Sequence, residues 1–243
     1  MANLKLMKIK AEILSRKIGK KFGVDVKMTD EEVLMKQIEY NKIDLIFDIG
    51  ANEGQFSELL FKLGYKGKII SFEPLSEVHR KLLQRSKKYS GWEVAERCAI
   101  GESDGETEIN ISKNTLSSSV LKIKKEHTDA APESVITGTE KIKVYKLDTI
   151  GEKYTASAKN IFLKIDTQGY EEKILNGATN FLKKVKGLLV ETSLIPLYEG
   201  QALFKEILNK VESAGFELTG VQPAFINKET GRTLQVDAIF FRQ

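Results

Sequence analysis

The chain has 243 residues, of which 41% are hydrophobic and 30% charged, and this length and composition fit one globular domain with a sizeable core. No apolar run approaches the roughly eighteen residues of a membrane-spanning helix, and no signal peptide is readable at the N-terminus. The single cysteine, Cys98, excludes an internal disulfide and a cysteine-rich zinc site. We therefore expect a cytoplasmic protein.

The net charge of +4 is unevenly distributed. Residues 1–28 hold eight Lys/Arg against only Glu12 and Asp25, whereas the rest of the chain holds 30 Lys/Arg and 32 Asp/Glu. Binding to the phosphates of a nucleic acid needs clustered positive charge. The body of the protein is therefore not expected to bind nucleic acid.

The basic segment itself has helical periodicity. Its apolar residues recur near helical spacing with lysines between them, and they predict an amphipathic helix: Leu4, Met7, Ile9, Ile13, Leu14 and Ile18. Together with a second helix over 30–42, it would form an N-terminal extension over residues 1–42. The first helix could pack on its own domain, or lie on a partner or on the inner face of the membrane as a peripheral contact.

From residue 44 onward, predicted strands and helices alternate. This order is typical of an α/β fold, in which helices cover both faces of a mostly parallel sheet. We expect strands at 44–49, 68–72, within 92–100, at 160–165 and at 187–191, with a closing pair at 216–221 and 235–241. We expect helices at 53–63, 76–88, 171–183 and 202–214, and the second of these should begin with Ser76 as its cap.

Two segments interrupt the alternation and predict an insertion. Residues 107–111 and 140–147 alternate polar and apolar side chains, as antiparallel strands do. They indicate a β-hairpin insertion over about residues 103–148, within a main domain that spans residues 43–243. The long loop between them, 112–139, suits a lid or a binding loop. Ser118 and Ser119 in this loop are candidate substrate contacts.

The turn after the first strand reads Gly50-Ala-Asn-Glu-Gly54. A dinucleotide fingerprint has a glycine where Asn52 stands, so that the backbone can approach a pyrophosphate. The missing glycine, together with Asp48 just before the turn, favours a nucleoside with a cationic centre, such as S-adenosylmethionine (SAM). Glu73, which follows the second strand, is placed to accept both ribose hydroxyls.

Four predicted strands end in an acid, namely Asp48, Glu73, Asp166 and Glu191. Ligands of open α/β sheets bind beyond the carboxyl ends of the strands, so these acids should share one site. Lys164 and Asp166 are two residues apart and leave the same face of their strand. They form either a structural ion pair or a group that holds substrate or the methionine end of the cofactor.

A set of segments, taken in order, resembles the FkbM family of SAM-dependent methyltransferases from about residue 44 to the C-terminus. The glycine turn alone would be weakly specific, whereas the ordered set is strong. The segments are Asp48-Ile-Gly-Ala-Asn-Glu-Gly54, Phe72-Glu-Pro74, Cys98-Ala-Ile-Gly101, Leu147-Asp-Thr149, Leu163-Lys-Ile-Asp-Thr-Gln-Gly-Tyr-Glu171, Val190-Glu191 and Gln235-Val-Asp-Ala-Ile-Phe240.

The resemblance implies a Rossmann-like class I methyltransferase fold, with a seven-stranded, mostly parallel sheet and an antiparallel last strand. It also implies transfer of a methyl group to a hydroxyl of a sugar, a glycan or a secondary metabolite. By position, it assigns Asp48, Gly50, Asn52 and Phe56 to the methionine half of SAM, Glu73 and Pro74 to its ribose, and Ala99 and Ile100 to its adenine.

The acceptor side is assigned less fully. Gln168 and Tyr170 are candidate substrate contacts, and many family members have Glu where Gln168 stands, a departure that would suit a different acceptor. A sugar hydroxyl is a poor nucleophile, so a base or a metal would help. We expect Asp166, Glu191 and Lys164 to form the catalytic group. Asp166 and Glu191 could instead hold a magnesium ion.

Other assignments remain open at this point. His79 is expected to be structural, whereas His127, in the long loop, could swing over the site. The chain could also be an RNA or protein methyltransferase that is recruited by the basic N-terminal helix. A third alternative is a non-catalytic SAM-fold module that docks on a partner or a membrane.

Overall fold

The structure, a computed structural model, describes residues 28–243 together with Met7, Ala11, Leu14 and Ser15. The predicted basic helix near the N-terminus therefore falls almost entirely outside the described residues. Within the described part of the chain, no helix combines the length and the apolar character needed to cross a bilayer.

Ten strands and seven α-helices build the described residues. The strands are β1 (Leu45–Ile49), β2 (Lys68–Phe72), β3 (Trp92–Val94), β4 (Ala99–Ile100), β5 (Gly105–Ser112), β6 (Ile136–Tyr145), β7 (Ile161–Ile165), β8 (Val185–Ser193), β9 (Glu217–Ile226) and β10 (Thr233–Phe241). The helices are α1 (Asp30–Tyr40), α2 (Gln55–Leu63), α3 (Ser76–Ser86), α4 (Lys125–Ala130), α5 (Leu147–Ile150), α6 (Glu171–Asn176) and α7 (Phe204–Ser213).

A seven-stranded sheet has the order β3-β2-β1-β7-β8-β10-β9. Strands β1, β2, β3, β7 and β8 pair in parallel, while β10 runs antiparallel to both of its neighbours. The predicted mostly parallel sheet with a reversed last strand is thus confirmed. Because β10 is reversed, its first residues lie at the edge where the parallel strands end.

Both faces of the sheet are covered, as the sequence pattern requires. Every residue of β1 and β7 is buried, which explains why these strands read as continuous apolar runs instead of alternating ones. Phe47 contributes to the core on one face, where it packs against Phe72 and Phe181. Ile46 and Trp92 contribute to the core on the other face.

The insertion forms a second, three-stranded sheet in the order β4-β6-β5. Strands β5 and β6 are the two antiparallel arms that the alternation predicts, and β4 adds a parallel edge. The segment between the arms is more ordered than a loop, because it contains α4 and two 3₁₀ turns, Thr115–Ser117 and Pro132–Ser134.

Two predicted helix boundaries were wrong. Ser76 is the first helical residue of α3 and does not cap it; its N–H and hydroxyl donate to Glu140 Oε2 at 3.2 and 3.3 Å. The helix expected over 171–183 ends at Asn176, and a separate 3₁₀ turn follows at Phe181–Lys184. Asp148 explains the break, since its carboxylate accepts the N–H groups of Asn180 and Phe181.

Gly177, immediately after α6, marks a close backbone approach. A Cβ at this position would lie 2.0 Å from the carbonyl oxygen of Gly101. We expect Gly177→Ala to lower the free energy of unfolding by about 1–3 kcal/mol, because the added methyl group overpacks a fixed backbone contact. Urea denaturation measures this change. Gly138→Ala is the matched control, because its Cβ would meet nothing within 4 Å; equal losses in both variants would contradict the prediction.

Candidate active site

A cavity of about 690 Å³ lies beyond the carboxyl ends of β1, β2, β7 and β8. This volume is within the roughly 300–1,000 Å³ typical of cofactor and ligand sites. All of the predicted site residues except Asp48 line it: Gly50, Asn52, Phe56, Glu73, Pro74, Ala99, Ile100, Ser118, Ser119, Lys164, Asp166, Gln168, Tyr170 and Glu191. The structure therefore brings them together, while the ligand that each one contacts stays a prediction.

The glycine turn after β1 approaches the backbone of the neighbouring β7 closely. Gly50 has φ +73°, and a Cβ there would lie 1.9 Å from the carbonyl oxygen of Asp166, so only glycine fits. Asn52 has φ +48°, a left-handed conformation that asparagine tolerates better than most residues. Its side-chain oxygen accepts the Glu53 N–H at 2.8 Å and thereby stabilises the turn.

Glu73 is fixed by the backbone on both sides. Its Oε2 accepts the Asn52 N–H and its Oε1 accepts the Leu75 N–H, each at 2.9 Å. Burial raises the pKa of Glu73 to about 7, even though both N–H groups act to lower it. Each carboxylate oxygen still has a lone pair for a hydroxyl donor from the cavity.

Lys164 links three parts of the site from a buried position. Its Nζ lies 3.1 Å from Asp48 Oδ1 and 3.3 Å from Asp166 Oδ2, and it donates to the Gly50 carbonyl at 3.1 Å. Burial acts to lower the pKa of Lys164, but the two carboxylates outweigh it and hold the pKa above its ordinary value. Lys164 is therefore a permanent cation that fixes the glycine turn, and it is poorly suited to be a base.

Asp48 requires a correction. Its side chain is fully buried behind the cavity wall, where it pairs with Lys164 and accepts the Ser57 hydroxyl at 2.7 Å. Its charge is thus compensated by Lys164 and is not directed at a ligand. The assignment of Asp48 to the methionine half of the cofactor stays a prediction, and in the structure Lys164 is the partner charge that this buried carboxylate needs.

Gln168 connects the two carboxylates at the ends of β7 and β8. Its Nε2 donates to Asp166 Oδ1 at 3.0 Å and to Glu191 Oε2 at 2.7 Å, and its Oε1 accepts the Tyr198 hydroxyl at 2.8 Å. A second amide, Gln235 Nε2, also donates to Glu191 Oε2, at 2.9 Å. Because both amides donate to Oε2, the other carboxylate oxygen of Glu191, Oε1, receives no bond from either amide.

Glu191 has the environment of a strong proton acceptor. Burial raises its pKa well above the ordinary value, and the negative charges of Asp166 and Asp237 add to this effect, while Lys164 opposes it. A carboxylate with a raised pKa binds protons more tightly, and enzymes tune general bases in this way.

The residues at the ends of β7 and β8 do not form a metal site. Among residues 28–243 and the four described residues before them, no group of three His, Cys, Asp or Glu is placed to hold a metal ion. The Nε2 atom of Gln168 donates to both Asp166 and Glu191, and so it takes the bridging place that a cation would need. The predicted magnesium site does not fit this arrangement.

Neither histidine reaches the cavity. His79 Nε2 lies 2.9 Å from the carbonyl oxygen of Ala95, which fits the expected structural role. His127 is buried among the rings of Tyr198 and Phe225, at 5.1 and 5.4 Å between centroids, and burial lowers its pKa to about 4. The structure thus contradicts the hypothesis that His127 swings over the site, because the residue is buried beside Tyr198 and Phe225 and does not line the cavity.

The insertion also contributes a wall of the cavity. Thr115, Leu116, Ser118, Ser119 and Val120 line it, so the 3₁₀ turn and the residues after it face the strand ends. The Ser119 hydroxyl donates to the Gln168 carbonyl at 2.7 Å and joins this wall to the β7 turn.

Sequence reasoning missed three side chains that shape the site. Asp237 lines the cavity and pairs with Glu191 across β8 and β10, and Gln235 lies on the same face two residues earlier. The reversed strand was predicted, and the alternation of its side chains could have placed both residues. Glu171 accepts the N–H groups of Thr167 and Gly169 at 3.0 and 3.1 Å and so holds the β7 turn.

Comparison with known proteins gives the following relatives. The sequence profile of the methyltransferase FkbM domain matches residues 48–218. The hexuronic acid methyltransferase AglP of Haloferax volcanii is 24% identical over 153 residues, which is 63% of this chain and 57% of that protein. The chain thus spans less than two thirds of the length of that relative.

Two solved methyltransferase structures are similar to this chain. The methyltransferase FkbM of Methylobacillus flagellatus superposes with a TM-score of 0.50 at 16% identity, over 82% of this chain and 43% of that one. The magnesium protoporphyrin IX methyltransferase of Synechocystis, solved with bound SAM, gives a TM-score of 0.47 at 10% identity, over 87% of this chain and 77% of that one. The fold is that of the class I methyltransferases. Because the family match covers well over half of its residues, the chain belongs to the FkbM methyltransferase family.

Proposed function

We propose that this protein transfers a methyl group from SAM to a hydroxyl of a sugar or glycan. The observation that carries the proposal is that one cavity is lined by two groups of residues: the Gly50 turn with Glu73, and Asp166 with Gln168 and Glu191. The first group offers the donors and acceptors that a nucleoside needs. The second group offers carboxylates that can receive a hydroxyl and its proton.

The first group of residues would hold the cofactor. Glu73 would accept the two ribose hydroxyls, and the apolar wall formed by Ala99 and Ile100 would contact the adenine. Gly50, Asn52 and Phe56 would contact the methionine half. Bound SAM would supply an electrophilic methyl group on a positively charged sulfur.

The second group of residues would prepare the acceptor. Glu191 would accept the proton of the sugar hydroxyl as the oxygen forms its bond to the methyl carbon and the bond from that carbon to sulfur breaks. Asp166, held by Lys164 and Gln168, would orient the acceptor. Since the positive charge of the sulfur disappears in this step, alignment in a site shielded from water can supply much of the acceleration.

Calorimetry with SAM, followed by transfer of labelled methyl groups to glycan extracts, tests the proposal. We expect the wild-type protein to bind SAM, and we expect Glu73→Ala to weaken binding by at least about tenfold, because the ribose hydroxyls lose a charged acceptor. Unchanged SAM affinity in Glu73→Ala, or label that enters RNA or protein instead of glycan, would count against the proposal.

The raised pKa of Glu73 also predicts a pH dependence of nucleoside binding. The ionised carboxylate accepts hydroxyls better than the protonated one, so affinity should fall as pH drops through about 7. Between pH 8 and pH 6 the expected loss is roughly tenfold. 5′-Methylthioadenosine is the appropriate probe, because it lacks the amino acid groups of SAM that titrate themselves. The affinity of Glu73→Gln should be low and should vary little over this range; a Glu73→Gln profile that parallels the wild type would contradict the assignment.

A further inference from the structure

The charge on the cavity wall restricts the sugars that can enter it. We propose that the sugar bearing the methylated hydroxyl is uncharged or carries an amino group, and that it is not a uronic acid. The inference rests on the proposed function and deepens it by naming the class of acceptor.

Acidic side chains surround the acceptor end of the cavity. Asp166 and Glu191 stand at the ends of β7 and β8, and Asp237 faces Glu191 from the neighbouring β10. The first turn of α1 adds Asp30 and Glu31 to the residues that line the cavity. Besides Glu73, five carboxyl groups from four separate elements therefore line this cavity.

Positively charged side chains are scarce in the described part of the cavity lining. Among the described residues that line the cavity, Lys164 is the only Lys, Arg or His. Its ammonium group is already placed between Asp48 and Asp166 and also donates to the Gly50 carbonyl. A sugar carboxylate would gain little from this cation and would meet the field of the surrounding acids, and like charges at close range oppose binding.

Three side-chain amides near these acids already donate to protein acceptors, and Gln168 uses both of its N–H groups in this way. Gln168 Nε2 donates to Asp166 and Glu191. Gln235 Nε2 donates to Glu191, and Gln222 Nε2 donates to the Asp30 carbonyl at 3.0 Å. The wall therefore presents mainly acceptors. Hydroxyl and ammonium groups are donors and complement such a wall, whereas a carboxylate has only acceptors.

The proposed acceptor differs in charge from the sugar in the name of one relative. AglP is named for a hexuronic acid, and it is 24% identical to this chain over 153 residues. The inferred wall of acids predicts that the two proteins differ in the charge of the acceptor, even though both are methyltransferases.

The experiment determines whether the methyl-labelled sugar carries a carboxylate. The full-length protein is incubated with methyl-labelled SAM and a glycan extract of its own organism, and the products are hydrolysed with acid. Acid cleaves glycosidic and phosphate links and methyl esters, but it leaves methyl ethers of sugars intact. Anion-exchange chromatography then separates uronic acids from neutral and amino sugars, and an authentic methyl-ether uronic acid carried through the same steps checks recovery.

We expect at least about tenfold more label in the neutral and amino sugars than in the uronic acids, because like-charge repulsion disfavours the latter. Label that elutes with the uronic acids, or that is released as methanol from a methyl ester, would overturn the inference. Label in no sugar fraction, from a protein that binds SAM, would refute the proposed function and with it this inference. A parallel incubation with the Glu191→Gln variant gives the background.

Discussion

Replacing Lys164 by methionine should lower the free energy of unfolding by about 3–5 kcal/mol, the usual cost of leaving one charge of a buried pair without its partner. Asp48 is fully buried, and after the change it would keep only hydroxyl donors, Ser57 at 2.7 Å and Ser71 at 3.4 Å. The same change removes the bond to the Gly50 carbonyl that fixes the glycine turn. We therefore also expect SAM binding to be lost.

A double variant separates loss of the ion pair from loss of packing. In Lys164→Met/Asp48→Asn no buried charge is left unpaired, so this protein should be more stable than Lys164→Met alone. Urea denaturation with unchanged slopes measures both differences. Lys173→Met is the matched control, since it breaks an ion pair with Glu102 whose two side chains are each 40% exposed. It should cost less than about 1 kcal/mol. Additive effects of Lys164→Met and Asp48→Asn would show that the pair is not coupled.

The succession of strands along the chain and the location of the cavity could be predicted from the sequence because they depend on local patterns. Continuous apolar runs predict buried parallel strands, and an acid after such a run must lie at the edge where ligands bind. Glu73, Asp166 and Glu191 were found in this way, and all three line the cavity.

The pairings inside the site could not be predicted to the same extent, because they depend on register between strands that are distant in sequence. Asp48 and Lys164 are paired across β1 and β7, and this register turns the Asp48 charge inward to Lys164. The spacing of two residues predicted that Lys164 and Asp166 lie together. No local sequence pattern indicated that Lys164 also donates to the carbonyl of Gly50. The pairing of Asp48 with Lys164 behind the cavity wall was therefore not predicted.

Helix boundaries failed for a related reason. The apolar pattern after Glu171 continues past Gly177, yet the helix ends because Asp148, which is far away in sequence, caps the next turn. His127 is a similar case: its place in the long loop suggested that it could swing over the site, whereas its ring is buried against Tyr198 and Phe225. A long-range partner overrode the local preference at both positions.

Changing Glu191 to glutamine should lower kcat by about 10²–10⁴-fold, the usual contribution of a general base, and should change SAM affinity by less than about threefold. The substitution retains the size of the side chain and an oxygen that can accept the bonds from Gln168 and Gln235. It removes only the ability to accept a proton. Measuring kcat by methyl transfer, and SAM affinity by calorimetry, distinguishes a catalytic loss from a loss of cofactor.

The pH dependence of turnover provides the second readout. A base must be ionised to accept a proton, so kcat/KM should fall as pH drops below the raised pKa of Glu191. The residual activity of Glu191→Gln should lack this decline.

Glu171→Gln is the matched control, because burial raises the pKa of Glu171 to about 7, yet the residue binds the β7 turn and does not line the cavity. Turnover and its decline at low pH should persist in this control, but the decline should move to lower pH, because the charge of Glu171 helps to raise the pKa of Glu191. If Asp166→Asn abolishes turnover while Glu191→Gln retains it, the base is Asp166, and Glu191 only orients Gln168.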